Sequence, residues 1–178
     1  MGNSEEIRWE WEAVEIGQTG PPYALEITDE LVARYAEIVR NPNPAYAEDS
    51  AEDQLKLAMP TMIFRIAPLR RQDIASENGF TALERVSENP RQTPFAKCEV
   101  RWFAPIHVND VITSYGHVVD KQIRRGNKFV TFRIEASNQD NQKVAEYDYT
   151  CIFEYAKGQH TRTDRDLKPQ PRRARGSV

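Results

Sequence analysis

The sequence predicts an α+β domain, with an antiparallel β-sheet wrapped around a central apolar helix. Helical periodicity is confined to the first half, where Leu31, Tyr35 and Ile38 recur on one face and a methionine-rich run opens at Ala58-Met59-Pro60. Two-residue alternation fills the second half, in long runs between Phe95 and Tyr155. Short polar connections join those runs, which suits an antiparallel meander, and helices followed by strands suit an α+β layering.

Taken in order, the first dozen residues carry Trp9 and Trp11 among acids, the pattern of an arm that packs on the domain. Gly17 to Pro22 (GQTGPP) is a turn cluster, and Tyr23 to Ile27 a short extended piece. Thr28 or Asp29 can cap the helix that follows, and Asp29 and Glu30 suit its positive end. Leu31, Tyr35 and Ile38 mark its apolar face, with Val32 and Ala36 beside it. Asn41-Pro42 ends it, because a residue before proline is pushed out of α geometry. An acidic, helical link is expected over Ser50 to Leu57.

The run AMPTMIFRIAPLRR makes Met59, Met62, Ile63, Ile66 and Ala67 the most apolar helix candidate. Pro60 fits its first turn, where a missing N–H is tolerated, and Pro68 should kink or end it. From Phe95 to Phe103, Ala96, Cys98, Val100 and Trp102 alternate with Lys97, Glu99 and Arg101. Asp110 to Ile123 and Lys128 to Ser137 continue the β pattern around a hairpin turn at Arg124 to Asn127, with Gly126 as the permissive residue. After a turn at Asn138 to Asn141, Ala145, Tyr147, Tyr149, Cys151 and Phe153 share one face of the last strand. One domain is expected over 1–158, and 159–178, basic, aperiodic and proline-bearing, has the composition of a disordered tail.

Composition narrows the function classes. The chain has 178 residues, 39% hydrophobic and 29% charged, as in soluble globular proteins. A net charge of -3 gives no reason to expect a nucleic-acid partner. No apolar run approaches the roughly 20 residues that span a bilayer, so no membrane partner is expected. The acidic start lacks the apolar core of a secretory signal, and a cytoplasmic protein is expected. Cys98 and Cys151 sit in alternating runs as small hydrophobes. His107, His117 and His160 stand at no ligand-like spacing, so no metal is expected.

Three motifs carry further information: RNPNPAY (Arg40 to Tyr46), AMPTM (Ala58 to Met62) and FAPIHVNDVI (Phe103 to Ile112). In this order they resemble the MaoC-like hydratase/dehydratase group of hot-dog folds, and in particular its N-terminal, FAS1-like dehydratase half. The resemblance runs from about Val14 to Tyr155. It implies addition or removal of water across the α,β double bond of an acyl thioester, carried on coenzyme A or acyl carrier protein, with no separate cofactor. The group's loop, G-D-x-N-P-I-H, supplies an Asp and a His that handle water and protons, and a Gly N–H opening the central helix helps hold the thioester oxygen.

Here the Asp position holds Asn41, the His position Tyr46 and the Gly position Pro60. An amide takes up no proton at working pH, and a phenol of ordinary pKa about 10 is ionised in roughly one molecule per thousand at pH 7. Proline has no N–H to donate, although Thr61 N–H lies one residue along. The resemblance therefore implies a non-catalytic, substrate-binding half. Asn41 and Tyr46 are its degenerate catalytic positions, and Asn43, Tyr46, Met59, Thr61 and Met62 line its acyl site or interface. Its expected assembly is a homodimer, or a heterodimer or heterotetramer with a catalytic MaoC-like subunit. Two alternatives stay open: a self-sufficient homodimeric hydratase, dehydratase or thioesterase using Tyr46, His107, Glu48 or Asp49, and an acyl-thioester binding module without chemistry. Arg124, Arg125 and Lys128, or Arg70 and Arg71, are candidate contacts to coenzyme A phosphates.

Overall fold

The computed structural model describes residues 6–47 and 56–156. Five antiparallel strands form one sheet: β1 (Tyr23–Glu26), β2 (Phe95–Trp102), β3 (Val111–Arg124), β4 (Asn127–Ser137) and β5 (Lys143–Glu154). Their spatial order is β1-β3-β4-β5-β2, so β1 and β2 are the two edges. The β3–β4 hairpin closes on two residues, Arg125 and Gly126, both at positive φ (51° and 80°). That geometry follows the right-handed twist of the strands and is available to glycine without strain. At the next turn Asn138 Oδ1 accepts from the N–H groups of Asp140 and Gln142.

The inner face of the sheet is apolar. Phe132, Tyr147, Tyr149, Cys151 and Phe153 are fully buried on it, and Phe132 stacks on Tyr149 with ring centroids 4.9 Å apart. The N-terminal arm closes one end: Trp9 is buried against Phe132 and Phe153. Trp11 Nε1–H donates to Phe129 O, and Lys121 and Lys128 sit over its ring.

Helix α1 (Asp29–Ile38) starts at Thr28, whose Oγ1 accepts from Leu31 N–H. Its buried residues are Val32 and Ala36, whereas Leu31 and Tyr35 are half-buried and Ile38 is 68% exposed. The apolar stripe is thus rotated from the expected one, because Val32 and Ala36 are the residues that pack into the hydrophobic core. The apolar segment after Pro60 is also shorter than expected. A 3-10 turn over Pro60–Met62 leads into one α turn, α2 (Ile63–Ile66), which ends before Pro68. A third helix, α3 (Arg71–Glu77), follows and buries Ile74 and Ala75. Gly116 on β3 makes room for it, since a Cβ there would lie 3.0 Å from Arg70 Cβ and 3.4 Å from Ile74 Cδ1.

Further expectations need correction. Leu57 is extended rather than helical, paired with His107, and Ala58 N–H donates to Ile106 O. Ser50 to Leu55 and the segment 159–178 lie outside the described residues. On β2, Ala96, Phe95 and Trp102 are exposed, because among the described residues no helix covers this edge strand.

The outer face of the sheet is a lattice of ion pairs. Arg133 makes a two-pronged pair with Asp148 (2.7 and 2.8 Å). Lys143 joins Glu135 and Glu146, and Arg101 reaches Glu146 from β2. Hydrogen bonding from Arg133 holds the Asp148 carboxyl below its ordinary range, and Lys143 does the same for Glu146.

Candidate functional site

The site is built where the end of α1 meets the start of the 3-10 turn. Helix α1 closes with Arg40 in the left-handed region (φ 55°). Arg40 N–H donates to Glu37 O and Asn41 N–H to Ala36 O, the paired bonds of a Schellman cap. This cap turns the chain sharply and sends Asn41-Pro42-Asn43-Pro44 across the front of the central segment.

Both asparagine side chains of the loop hold its backbone. Asn41 Oδ1 accepts from Asn43 N–H (3.1 Å), while its Nδ2–H donates to Met59 Sδ (3.2 Å). Asn43 Oδ1 accepts from Ala45 N–H (3.0 Å) and caps a 3-10 turn, Pro44–Tyr46. Tyr46 packs, half-buried, against the core. Lys56 ties the loop down, donating to Ala47 O and to Asp29 Oδ1. On the facing side Tyr35 O–H donates to Thr61 O (2.8 Å). Asn41, Met59 and Thr61 are therefore brought together by two clasps from α1 and its loop. Asn43 stands on the exposed side of the loop. Met62, fully buried, belongs to the core beneath it.

At the opening of the central segment, Pro60 has no N–H. Met62 N–H bonds Met59 O, and Ile63 N–H bonds Pro60 O. Thr61 N–H is left as the first-turn amide without a hydrogen-bond partner among the described residues. Sequence reasoning passed over Tyr35 and Lys56. Tyr35 belongs by its spacing to the apolar stripe of α1, whereas its hydroxyl is what reaches Thr61 O. Lys56 was visible only as a lone cation in an acidic stretch.

Other candidates lie elsewhere. His107 sits in the turn before β3, its Nδ1 3.8 Å from Asp110 Oδ2, and Asp110 Oδ2 also accepts from His107 N–H. Glu48 and Asp49 are outside the described residues. Arg70 and Arg71 are engaged within the fold. Arg70 pairs with Asp73 and lies over the Tyr23 ring, and Arg71 pairs with buried Glu84 and donates to Cys151 Sγ. Lys128 is held by Glu12 and Glu154, which leaves Arg124 and Arg125 as the exposed cations of that hairpin. No cluster of metal-ligating side chains occurs among the described residues, and none of their helices is long and apolar enough to cross a membrane.

A profile of the FAS1-like, dehydratase domain region matches residues 15–147. The chain belongs to that family. The match takes in the clasp, the central segment and most of the sheet, and the MaoC-like resemblance of the three motifs is borne out with it. Solved structures agree on the hot-dog fold. The monoamine oxidase regulatory protein from Archaeoglobus fulgius superposes with TM-score 0.61 at 18% identity, covering 83% of this chain and 95% of its own. R-hydratase PhaJ1 from Pseudomonas aeruginosa gives 0.57 at 13% identity, covering 82% and 85%. The HadBC (3R-hydroxyacyl-ACP dehydratase) complex from Mycobacterium tuberculosis gives 0.57 at 17% identity, covering 78% and 98%. At such identities the likeness is one of fold. No curated protein sequence matches the chain.

Proposed function

We propose that this family member holds an enoyl or 3-hydroxyacyl thioester without moving its protons, and works with a second hot-dog chain that carries the catalytic Asp and His. One observation carries the reading. At the loop position where the family's acid–base Asp belongs, the Asn41 side chain is engaged at both ends, by Asn43 N–H and Met59 Sδ. An amide in that bonding state fastens the loop and exchanges no proton. Tyr46, at the His position, is half-buried against the core.

Positioned acid–base groups contribute on the order of 10²–10⁴-fold to such reactions. A chain without them is a poor catalyst, though still a useful scaffold for the acyl chain. Its own contribution would be orientation. Thr61 N–H can meet the thioester oxygen in place of the absent amide of Pro60, while Tyr46, Met59 and the Asn43 loop bound the acyl group. The carrier, coenzyme A or acyl carrier protein, brings the thioester, and no further cofactor is needed. That a (3R)-hydroxyacyl-ACP dehydratase of the same fold is described as a complex supports a two-chain arrangement.

The test is turnover of crotonyl-CoA and of a longer enoyl-CoA. Alone, the chain should give background rates. Added to a hot-dog protein bearing an intact G-D-x-N-P-x-H loop, it should raise turnover of the longer substrate. Clear turnover by the chain alone, lost in Tyr46→Phe, would establish a self-sufficient enzyme and overturn the proposal. Thioester binding with no turnover in any mixture would make it a binding module.

A further inference from the structure

The central segment opens with one 3-10 turn, Pro60–Met62, whose first N–H is that of Thr61. The Pro60–Thr61 peptide is planar and trans, so this N–H points opposite to Pro60 O. Pro60 O accepts from Ile63 N–H and therefore faces along the segment, which turns Thr61 N–H out of its open end. The next peptide is held on both sides. Met62 N–H donates to Met59 O, and Thr61 O accepts from Tyr35 O–H at 2.8 Å. The two backbone rotations at Thr61 relate these peptide planes, and with both planes pinned the direction of its N–H is set. Two of the three bonds are local to a 3-10 turn, whose hydrogen-bond geometry is poor. The third comes from outside the turn, through a side chain.

Tyr35 is suited to that role. It stands in the last turn of α1, its half-buried ring packed against the core, and its hydroxyl reaches the opening of the central segment. The side chain has only two torsions, and packing of the ring leaves the hydroxyl little freedom. At the other end of the same segment Tyr147 O–H holds Ala67 O in a buried setting. The Tyr35 bond is exposed instead, where water competes for both partners, so it stabilises the fold little. Direction is what it supplies. We propose that Tyr35 is a positioning residue of the thioester site: by holding Thr61 O, its hydroxyl aims Thr61 N–H at the thioester oxygen. With Pro60 contributing no N–H, a single amide carries that contact, and a donor fixed beforehand needs no reorientation when the ligand arrives.

This inference rests on the reading of Thr61 N–H as the group that meets the thioester oxygen, and the test separates the two. The probe is crotonyl-CoA labelled with carbon-13 at the thioester carbonyl, added to the full chain and followed by isotope-edited infrared spectroscopy. A hydrogen bond to that oxygen lowers the carbonyl stretching frequency.

Binding to the wild-type chain should lower the band. Tyr35→Phe keeps the packed ring and should keep the fold by circular dichroism. It should nevertheless return the band toward its position in free crotonyl-CoA and weaken binding about two- to tenfold, the effect of losing one net hydrogen bond. Tyr23→Phe is the control: it removes the hydroxyl that accepts from Arg65 of the same central segment and should leave the band in place. In the unliganded chain the Thr61 amide should lose order in Tyr35→Phe and keep it in Tyr23→Phe, read as its nuclear magnetic resonance order parameter. A lowered band that Tyr35→Phe does not move overturns this inference alone, as does an unchanged Thr61 order parameter. A bound thioester whose band never shifts, or no binding at all, overturns the reading of Thr61 as well.

Discussion

The two faces of the sheet are made from the same strands and behave as different materials. On the inner face, Phe132, Tyr149, Phe153 and Trp9 are buried and pack ring against ring, and Tyr147 O–H donates to Ala67 O across 2.5 Å to hold the short central helix. On the outer face, Arg133, Asp148, Lys143, Glu146 and Arg101 neutralise one another in a partly solvated lattice. The difference teaches where ligands and partners belong. A face whose charges are already paired offers little to an acyl chain or to a second apolar layer. The helix side and the uncovered β2 edge are where apolar surface and backbone polarity remain unmatched.

The strongest way to break that contrast is Phe132→Ala. Removing a fully buried ring that contacts Tyr149, Trp9 and Phe153 should cost about 3–5 kcal/mol, read as a shift in urea midpoint. Tyr147→Phe keeps the ring and deletes one buried hydrogen bond, leaving Ala67 O without it, and should cost about 1–3 kcal/mol. On the outer face Asp148→Asn should cost less, about 1 kcal/mol, since the pair it breaks is partly exposed and screened by salt.

That variant also has a pH signature. The folded-state pKa of Asp148 is depressed, first by hydrogen bonding from Arg133. Its contribution is therefore full above the ordinary aspartate range and is lost as pH falls through the folded-state value. The difference between wild type and Asp148→Asn should accordingly shrink in acid and remain flat from neutral pH upward. The smallest effect belongs to Lys97→Ala, which removes a solvent-exposed pair with Glu99 and should leave the urea midpoint essentially unchanged. If it destabilised as much as Tyr147→Phe, the outer face would be structural after all.

Much of this architecture could be read from residue order, and the misses share a cause. Alternation located the strands, and Thr28, Asn41-Pro42, Pro68 and Gly126 marked where elements start and stop, because those signals act through local backbone geometry. The rotated face of α1 was missed, since Leu31, Tyr35 and Ile38 satisfy a helical period as well as Val32 and Ala36 do. Only the packing of the core decides which stripe is buried. Helix α3 was missed because its apolar content, Ile74 and Ala75, is too small to announce a period. At the site, Asn41, Met59 and Thr61 were named from motif positions, whereas Tyr35 and Lys56 reach them from elements that carry no motif.

The sequence by itself determined the layering, the turns and the chemical limits of the loop, for an amide and a phenol stay what they are in any fold. Tertiary structure decided what those groups do: that both ends of Asn41 are engaged, that Arg70 and Arg71 turn inward to Asp73 and Glu84, and that β2 lies at an edge. The physical reason is range. Backbone preferences act over a few residues along the chain, whereas hydrogen-bond partners, burial and strand order depend on which distant segments the collapse of the apolar face brings together.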